Sequence, residues 1–417
     1  MPAKPWYVTI TMKRYLRKKL YKKLKSHLDS NVNFVQAVVG PRQVGKTTLV
    51  KQIFEAWKGA KFYETADMPG VMNAKWIIAI WEKARSAEKK KNKKILLIID
   101  EIQKVSKWST IVKKLFDEDN FSKKRLHVVI LGSSSLLMQR GLTESLAGRF
   151  ELHKHSQWSY KECREFFNLS LKEYIYYGSY PAALPLRKNQ TRWVEYIRES
   201  LIETVIAKDV LQMNPVTKPA LLRQVFALCL YYPAQILSYQ NMLGQLQEAG
   251  NASTIAFYLR LLANAFFMVP LEKYSGSKIR QKSSSPKLLF LDNSVVSANS
   301  GKSFKQTYND KPLWGRLFEN AVGARLFWLA QEEGWELFYW RERDFEVDYV
   351  LSKGRRIIAV EVKSGYPGKA QAAFDVFAKR HKNAEKVVVS LKKGKSPADI
   401  KCLDAGQFFL NPEKIFS

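Results

Sequence analysis

Cysteine is scarce in this chain: Cys163, Cys229 and Cys402 are its only three in 417 residues, and none form a CxxC pair. That excludes a disulfide framework, argues against a zinc ribbon and leaves reduced structural thiols. No apolar run is long enough to cross a bilayer, and Met1 to Thr11 lacks the pattern of a signal peptide. No membrane span and a cytoplasmic location are therefore expected. Acidic residues are also short, with 38 Asp+Glu against 69 Lys+Arg and a formal charge of +31. Such an excess calls for a polyanionic partner, DNA in first place and an anionic membrane surface in second. Internal repeats and long low-complexity segments are missing, and 46% hydrophobic content supports a continuously folded chain of roughly two to four domains.

What is present is a phosphate-binding loop. Gly40, Pro41, Arg42, Gln43, Val44, Gly45, Lys46 and Thr47 fill every fixed position of the motif, with Thr48 following. Its glycines let backbone N–H groups wrap phosphates, Lys46 reaches the terminal phosphates, and the Thr47 hydroxyl suits Mg²⁺. The loop follows the β-branched run Val35 to Val39 and precedes a helical pattern from Thr47 through Ile53 to Trp57, the strand–loop–helix context the motif requires. A second apolar run, Ile95 to Ile99, ends in Asp100 and Glu101, one carboxylate to hold Mg²⁺ and one to polarise an attacking water. ATP and Mg²⁺ are the expected cofactors, with no other small-molecule substrate.

From Phe34 to about Phe150 strand and helix patterns alternate, which predicts a parallel sheet covered by helices. The run His127 to Leu131 leads into Gly132-Ser133-Ser134-Ser135, where a hydroxyl could sense the terminal phosphate or merely cap a helix. Arg149, ahead of the next strand, suits an arginine finger across a subunit interface. An exposed structural arginine is the alternative, and Arg140 is a rival. Basic residues cluster at Lys13 to Lys25, interleaved with Leu16, Leu20, Leu24 and Leu28 as a basic amphipathic helix. Further basic runs are Lys89 to Lys94, Lys123 to Arg125, and Lys278, Arg280, Lys282 and Lys287.

Together GPRQVGKTTL, LLIIDEIQ, LGSSS, LAGRF, Tyr177 to Pro181, EVDYVL and AVEVKSG resemble the AAA-type ATPases that carry a C-terminal domain of unknown function. The resemblance spans nearly the whole chain. It implies an α/β P-loop NTPase (AAA+) parallel-sheet core with a helical lid, a winged-helix domain, and a C-terminal restriction-endonuclease-like α/β domain similar to PD-(D/E)xK nucleases. Leu131 departs from the small polar residue that relatives tend to have, and Ser133 is the expected sensor. The expected units are a basic helix at 1–30, the ATPase core at 31–150, the lid at 151–215, the winged helix at 216–300 and the nuclease-like domain at 301–417.

The aromatics Trp158, Tyr160, Phe166, Phe167, Tyr174, Tyr176 and Tyr177 suit core and lid packing better than base stacking. Farther on, Ser253-Thr254 is expected to cap a helix through Ile255, Leu259, Leu262 and Phe266, followed by two strand-like runs around a basic loop, the layout of a winged helix. Lys278, Arg280 and Lys282 would touch DNA phosphates. The exposed helix face would offer Asn251, Tyr258 and Arg260, and contact with proteins alone is the alternative for this unit. In the last unit, Glu319, Asp348 and Glu361 could bind Mg²⁺ while Lys363 orients water, as the nuclease resemblance implies. The same residues could instead form a buried charge network.

The expected function is thus that of an ATP-hydrolysing, DNA-binding AAA+ protein that translocates on or remodels DNA in replication, recombination or repair. The finger logic makes it a homo-oligomer, for which a ring is plausible. One alternative is an ATP-dependent nuclease using the C-terminal carboxylates. The other is a nucleotide-controlled signalling switch that binds proteins.

Overall fold

The computed structural model describes residues 15–30, 32–68, 70, 72–88, 94–122, 126–132, 145–211, 216–247, 250–275, 284–367, 371–394 and 397–417. Lys13, Arg14, Lys89 to Lys93, Lys123 to Arg125, Ser133 to Ser135, Arg140, Lys278, Arg280 and Lys282 lie outside the described residues.

The first sheet is built from β1 (Val35–Val39), β2 (Lys61–Thr65), β3 (Ile95–Asp100), β4 (Leu126–Gly132) and β5 (Phe150–Lys154), all parallel in the order β2-β3-β4-β1-β5. The three inner strands β3, β4 and β1 are buried along their whole length, as expected of β-branched runs covered on both faces. Strand alternation sorts their side chains. Val35, Ala37, Leu97, Ile99, Val128 and Ile130 face α3 (Ala74–Glu88) and α4 (Trp108–Phe121). Val38, Leu96, Ile98, Val129 and Leu131 face α2 (Lys46–Ala56) and α1 (Lys18–Asp29).

The basic amphipathic pattern is therefore half right about solvent. Leu24 and Leu28 of α1 are buried against the sheet, while Lys18, Lys19, Lys22 and Lys23 are exposed. Arg17 departs from that solvated face. It is buried, its guanidinium held by Glu162 at 2.7 Å and by the carbonyl of Ser156 at 2.7 Å, so a charge read as part of a surface run is a clasp between the N-terminal segment and the chain after β5.

Beyond β5 come α5 (Tyr160–Phe167) and α6 (Leu171–Tyr177), each opened by a capping box in which Ser159 pairs with Glu162 and Ser170 with Glu173. A further helix, α7 (Gln190–Glu195), continues into π-helical turns at Tyr196–Glu203 and Val205–Leu211. Next are α8 (Pro219–Cys229), α9 (Tyr239–Leu243) and α10 (Ala252–Asn264), and an antiparallel ribbon of β6 (Met268–Leu271) and β7 (Lys287–Phe290) to which Ile236 adds a bridge at Lys287. Three expectations change in this unit. Asn251, not Ser253-Thr254, caps α10, its carbonyl accepting from Thr254 N at 2.8 Å; an Asn oxygen reaches the third helical N–H as well as a hydroxyl does. Tyr258 is 1% exposed and cannot read a base, because its position in the helical period faces the core. Lys287 is fully buried rather than part of a basic surface run.

After α11 (Asn293–Asn299) and α12 (Phe304–Asn309), the long α13 (Lys311–Glu333) packs on a second sheet ordered β12-β11-β10-β9-β8. Its strands are β8 (Glu336–Glu342), β9 (Phe345–Lys353), β10 (Arg356–Lys363), β11 (Glu385–Ser390) and β12 (Lys401–Asp404), with α14 (Gln371–Arg380) on the opposite face from α13. Hairpin β8-β9-β10 is antiparallel, while β10-β11-β12 is parallel. A single apolar core runs from the helices after β5 into this sheet, joining Tyr176, Leu289, Phe318, Tyr349 and Phe408. Buried amides secure it: Asn320 bonds both backbone groups of Phe290 at 2.8 and 2.9 Å, and Asn293 reaches the carbonyls of Ile175 and Leu317 at 2.7 Å. Gly323 permits this closeness, since a Cβ there would lie 2.3 Å from the Tyr349 hydroxyl.

Candidate functional site

The loop after β1 opens beyond the carboxyl end of the sheet, where open α/β sheets take ligands. Gly40 passes so close to β5 that an added Cβ would sit 2.1 Å from the His155 carbonyl oxygen. Gly45, at φ +94°, turns the chain into α2 and points its first N–H groups at the loop's interior. Lys46 is 7% exposed, and its ammonium donates to the carbonyls of Gly40 and Pro41 at 2.8 and 2.6 Å. Burial pulls its pKa down to about 8, although Glu101 and Asp100 pull the other way. Thr47 Oγ1 donates to Asp100 Oδ2 at 3.0 Å, and the Tyr63 hydroxyl donates to the same oxygen at 2.6 Å. Glu101 takes a left-handed backbone at φ +53°, and Gln103 Nε2 donates to its carboxylate at 2.5 Å.

A cavity of about 520 Å³ adjoins the loop, a volume typical of cofactor sites. One wall is Arg42 to Leu49 with Glu101; the other includes Tyr15, Arg17, Trp158, Phe166, Phe167 and Pro181. Tyr15 lies 5.1 Å from Trp158 and 5.4 Å from Phe166, ring centre to ring centre. Trp158 Nε1 donates to the Val44 carbonyl at 3.0 Å, so the aromatic wall and the phosphate loop are joined. The helices beyond β5 also hold the loop: Arg42 forms a two-pronged pair with Asp209 at 2.5 and 2.7 Å, and the Tyr196 hydroxyl donates to Gln43 at 2.8 Å. These residues fit a nucleoside triphosphate with Mg²⁺. The glycine-lined loop and Lys46 suit phosphates, Thr47 and Asp100 suit the metal, and the aromatic wall suits a base.

Sequence reasoning brought together Gly40 to Thr48, Asp100 and Glu101; in the structure Arg42 to Thr48 and Glu101 line one cavity, and Asp100 is bonded to Thr47. It missed Tyr15, Arg17, Tyr63 and Asp209. A lone acid amid Val205, Ile206 and Val210 was the available signal for Asp209, because such a carboxylate needs a buried partner. Trp158, Phe166 and Phe167 pack as expected but also line the cavity.

Arg149 stands elsewhere. It precedes β5, whose first residue pairs with Val35 at the start of β1, so it lies at the opposite edge of the sheet from its own phosphate loop, about 16 Å away along five strand residues. Its guanidinium pairs with Asp117 of α4 at 2.6 Å. Of the expected DNA-contact residues, Arg260 is exposed on α10.

The C-terminal carboxylates form a second centre. Glu319 comes from α13, Asp348 from β9, and Glu361 and Lys363 from one face of β10. Lys363 donates to Glu361 Oε2 at 2.5 Å, and Asp348 Oδ2 accepts from Val362 N at 2.8 Å. Glu346, unnoticed in the sequence although it shares a strand face with Asp348, joins them. Into the cluster comes Lys287 of β7, its ammonium 2.6 Å from Glu319, 3.0 Å from Glu346 and 3.7 Å from Asp348. Burial disfavours charge on Lys287, but Glu319 and Asp348 outweigh it and hold the ammonium protonated. Burial and the charge of Asp348 push Glu319 and Glu361 up to about 8 each.

Residues 32–164 match the family described as an AAA domain, residues 168–306 a domain of unknown function (DUF8612), and residues 314–406 another (DUF4143). An uncharacterised protein of Mycobacterium tuberculosis is 24% identical over 332 residues, covering 79% of this chain and 70% of that protein. An uncharacterised protein of Haemophilus influenzae is 23% identical over 363 residues, covering 81% of this chain and 84% of that protein. Among solved structures, a variant of RuvB from Thermotoga maritima aligns with 16% identity and a TM-score of 0.34, covering 61% of this chain and 89% of that one. Residues 32–164 are thus similar to an AAA domain, and they carry the phosphate loop and the parallel sheet described above. Among the described residues no helix is long and apolar enough to cross a membrane.

Proposed function

We propose that the chain uses its AAA-type P-loop domain to hydrolyse ATP and to translocate on or remodel DNA as a homo-oligomer. The observation that carries the ATPase half is the Thr47–Asp100 bond of 3.0 Å beside buried Lys46. It joins the two motifs that must act on one triphosphate. In this reading Gly40 to Thr48 bind the phosphates, Thr47 and Asp100 hold Mg²⁺, and Glu101 orients the attacking water. Arg149 reaches the nucleotide of a neighbouring subunit, and Ser133 is the sensor of the terminal phosphate.

The DNA half is supported by the +31 charge, by the exposed lysines of α1 and by the unit from α8 to β7. We read that unit as a winged helix, with Arg260, Lys278, Arg280 and Lys282 on phosphates. The last domain we read as nuclease-like in fold. Cleavage is left out of the function, because the Lys287 ammonium stands among its carboxylates.

The test is ATP turnover by the purified chain with Mg²⁺, alone and with single-stranded, duplex or four-way-junction DNA. Turnover that Lys46→Ala abolishes and that one DNA form stimulates is expected. Turnover indifferent to every DNA form, with no salt-dependent DNA binding, would leave the ATPase standing and overturn the DNA role in favour of a nucleotide-controlled switch.

A further inference from the structure

We propose that the pocket of Glu319, Glu346 and Asp348 is a single-cation site whose occupant in the folded chain is the Lys287 ammonium, supplied by the ribbon, and that Lys287 and a divalent cation exclude one another there. The donor oxygens of Glu319, Glu346 and Asp348 lie within 4.8 Å of one another, the spacing of carboxylates around one small ion. Lys287 has no exposed surface, and its ammonium meets all three. A divalent ion held by these oxygens would stand at the position of that ammonium, where two cations cannot be packed together.

Next to this pocket a fourth carboxylate, Glu361, feels the charges of Asp348 and Lys287. Glu361 is 3% exposed, and its Oε1 has no hydrogen-bond partner among the described residues. Its other oxygen is taken by Lys363. A buried carboxylate oxygen left in this state is costly unless a cation or a proton stands near it.

The ribbon cannot simply drift away. Lys287 is fixed by pairing with Leu271 and Ile236. Beside it, Tyr274 N donates to the Tyr339 carbonyl at 2.6 Å, and the Tyr339 hydroxyl donates to the Ser285 carbonyl, tying the segments that follow β6 and precede β7 to β8. The pocket nonetheless reaches solvent past Glu346, whose side chain is 33% exposed, so an ion would have access once the ammonium is removed.

The test is a Mn²⁺ titration of the full chain, followed by the spin resonance of free Mn²⁺, on the wild type, Asp348→Asn, Lys287→Met and the double variant. The Asp100 site contributes equally to all four and cancels. The wild type is expected to match Asp348→Asn, while Lys287→Met gains an ion, bound at least roughly tenfold more tightly than in the wild type, that Asp348→Asn removes. An Asp348-dependent ion in the wild type would overturn the proposal, and that arm needs no Lys287 variant to fold. A folded Lys287→Met chain without the extra ion would overturn it too.

Discussion

Lys46 is the residue whose environment makes the clearest claim. Its ordinary pKa of 10.5 is brought down to about 8 by burial, and among the described residues it meets carbonyl oxygens alone at hydrogen-bond distance. Between those two values the unfolded chain holds a proton that the folded chain has released, so this group makes stability rise with pH across the window. A triphosphate beside the ammonium restores the proton. ATP binding is therefore expected to take up a proton at about pH 8.5 and to weaken as pH rises above about 8. Calorimetry in two buffers of different ionisation heat measures the uptake, and the effect should vanish in Lys46→Gln. At Glu101, replacement by Gln keeps the side chain's size and its neighbour Gln103 but removes the charge that polarises water. ATP binding should be retained while turnover falls on the order of 10²–10⁴-fold; normal single-turnover rates would remove Glu101 from that role.

Among the elements, the phosphate loop is held from two sides, by its own strand and by the helices after β5. The Arg42–Asp209 pair is the charged part of that hold, with the Asp209 side chain only 3% exposed. Asp209→Asn leaves the guanidinium without its counter-charge, so denaturant unfolding should show a loss of about 3 kcal/mol. Asp117→Asn, which releases the more exposed Arg149, should cost nothing measurable. The elements themselves were legible where local patterns decide them. Val35 to Val39, apolar apart from Gln36, and Ile95 to Ile99 read as inner strands because burial on both faces demands mostly apolar runs, and the phosphate loop fixed the helix behind them. Two apolar runs around Gly354 are a hairpin signal that β9 and β10 fulfil, and strand alternation puts Glu361 and Lys363 on one face. What pairs distant segments was not legible. Arg17 looks like any lysine-rich neighbour until Glu162 is brought to it, and Lys287 sits in a basic stretch whose local pattern carries no sign of Glu319, Glu346 and Asp348. Tyr63 on Asp100 is of the same kind, since only the strand order puts β2 beside β3.

For the whole molecule, the separation of Arg149 from its own phosphate loop makes the oligomer testable without imaging it. Arg149→Ala should bind ATP yet turn it over about 10³-fold more slowly. Mixing it with Glu101→Gln subunits, which keep the arginine, should recover turnover. Two inactive variants that stay inactive when mixed would rule out a finger supplied in trans. The ribbon rests on β8. Tyr339 N donates to the Glu272 carbonyl at 3.2 Å while its own carbonyl accepts from Tyr274, so the outer rim of the second sheet is paired within the chain at its middle, Tyr339. A fragment beginning at residue 301 would bare that rim, an open template for strand-to-strand aggregation, and solubility on its own is the property it should lose first.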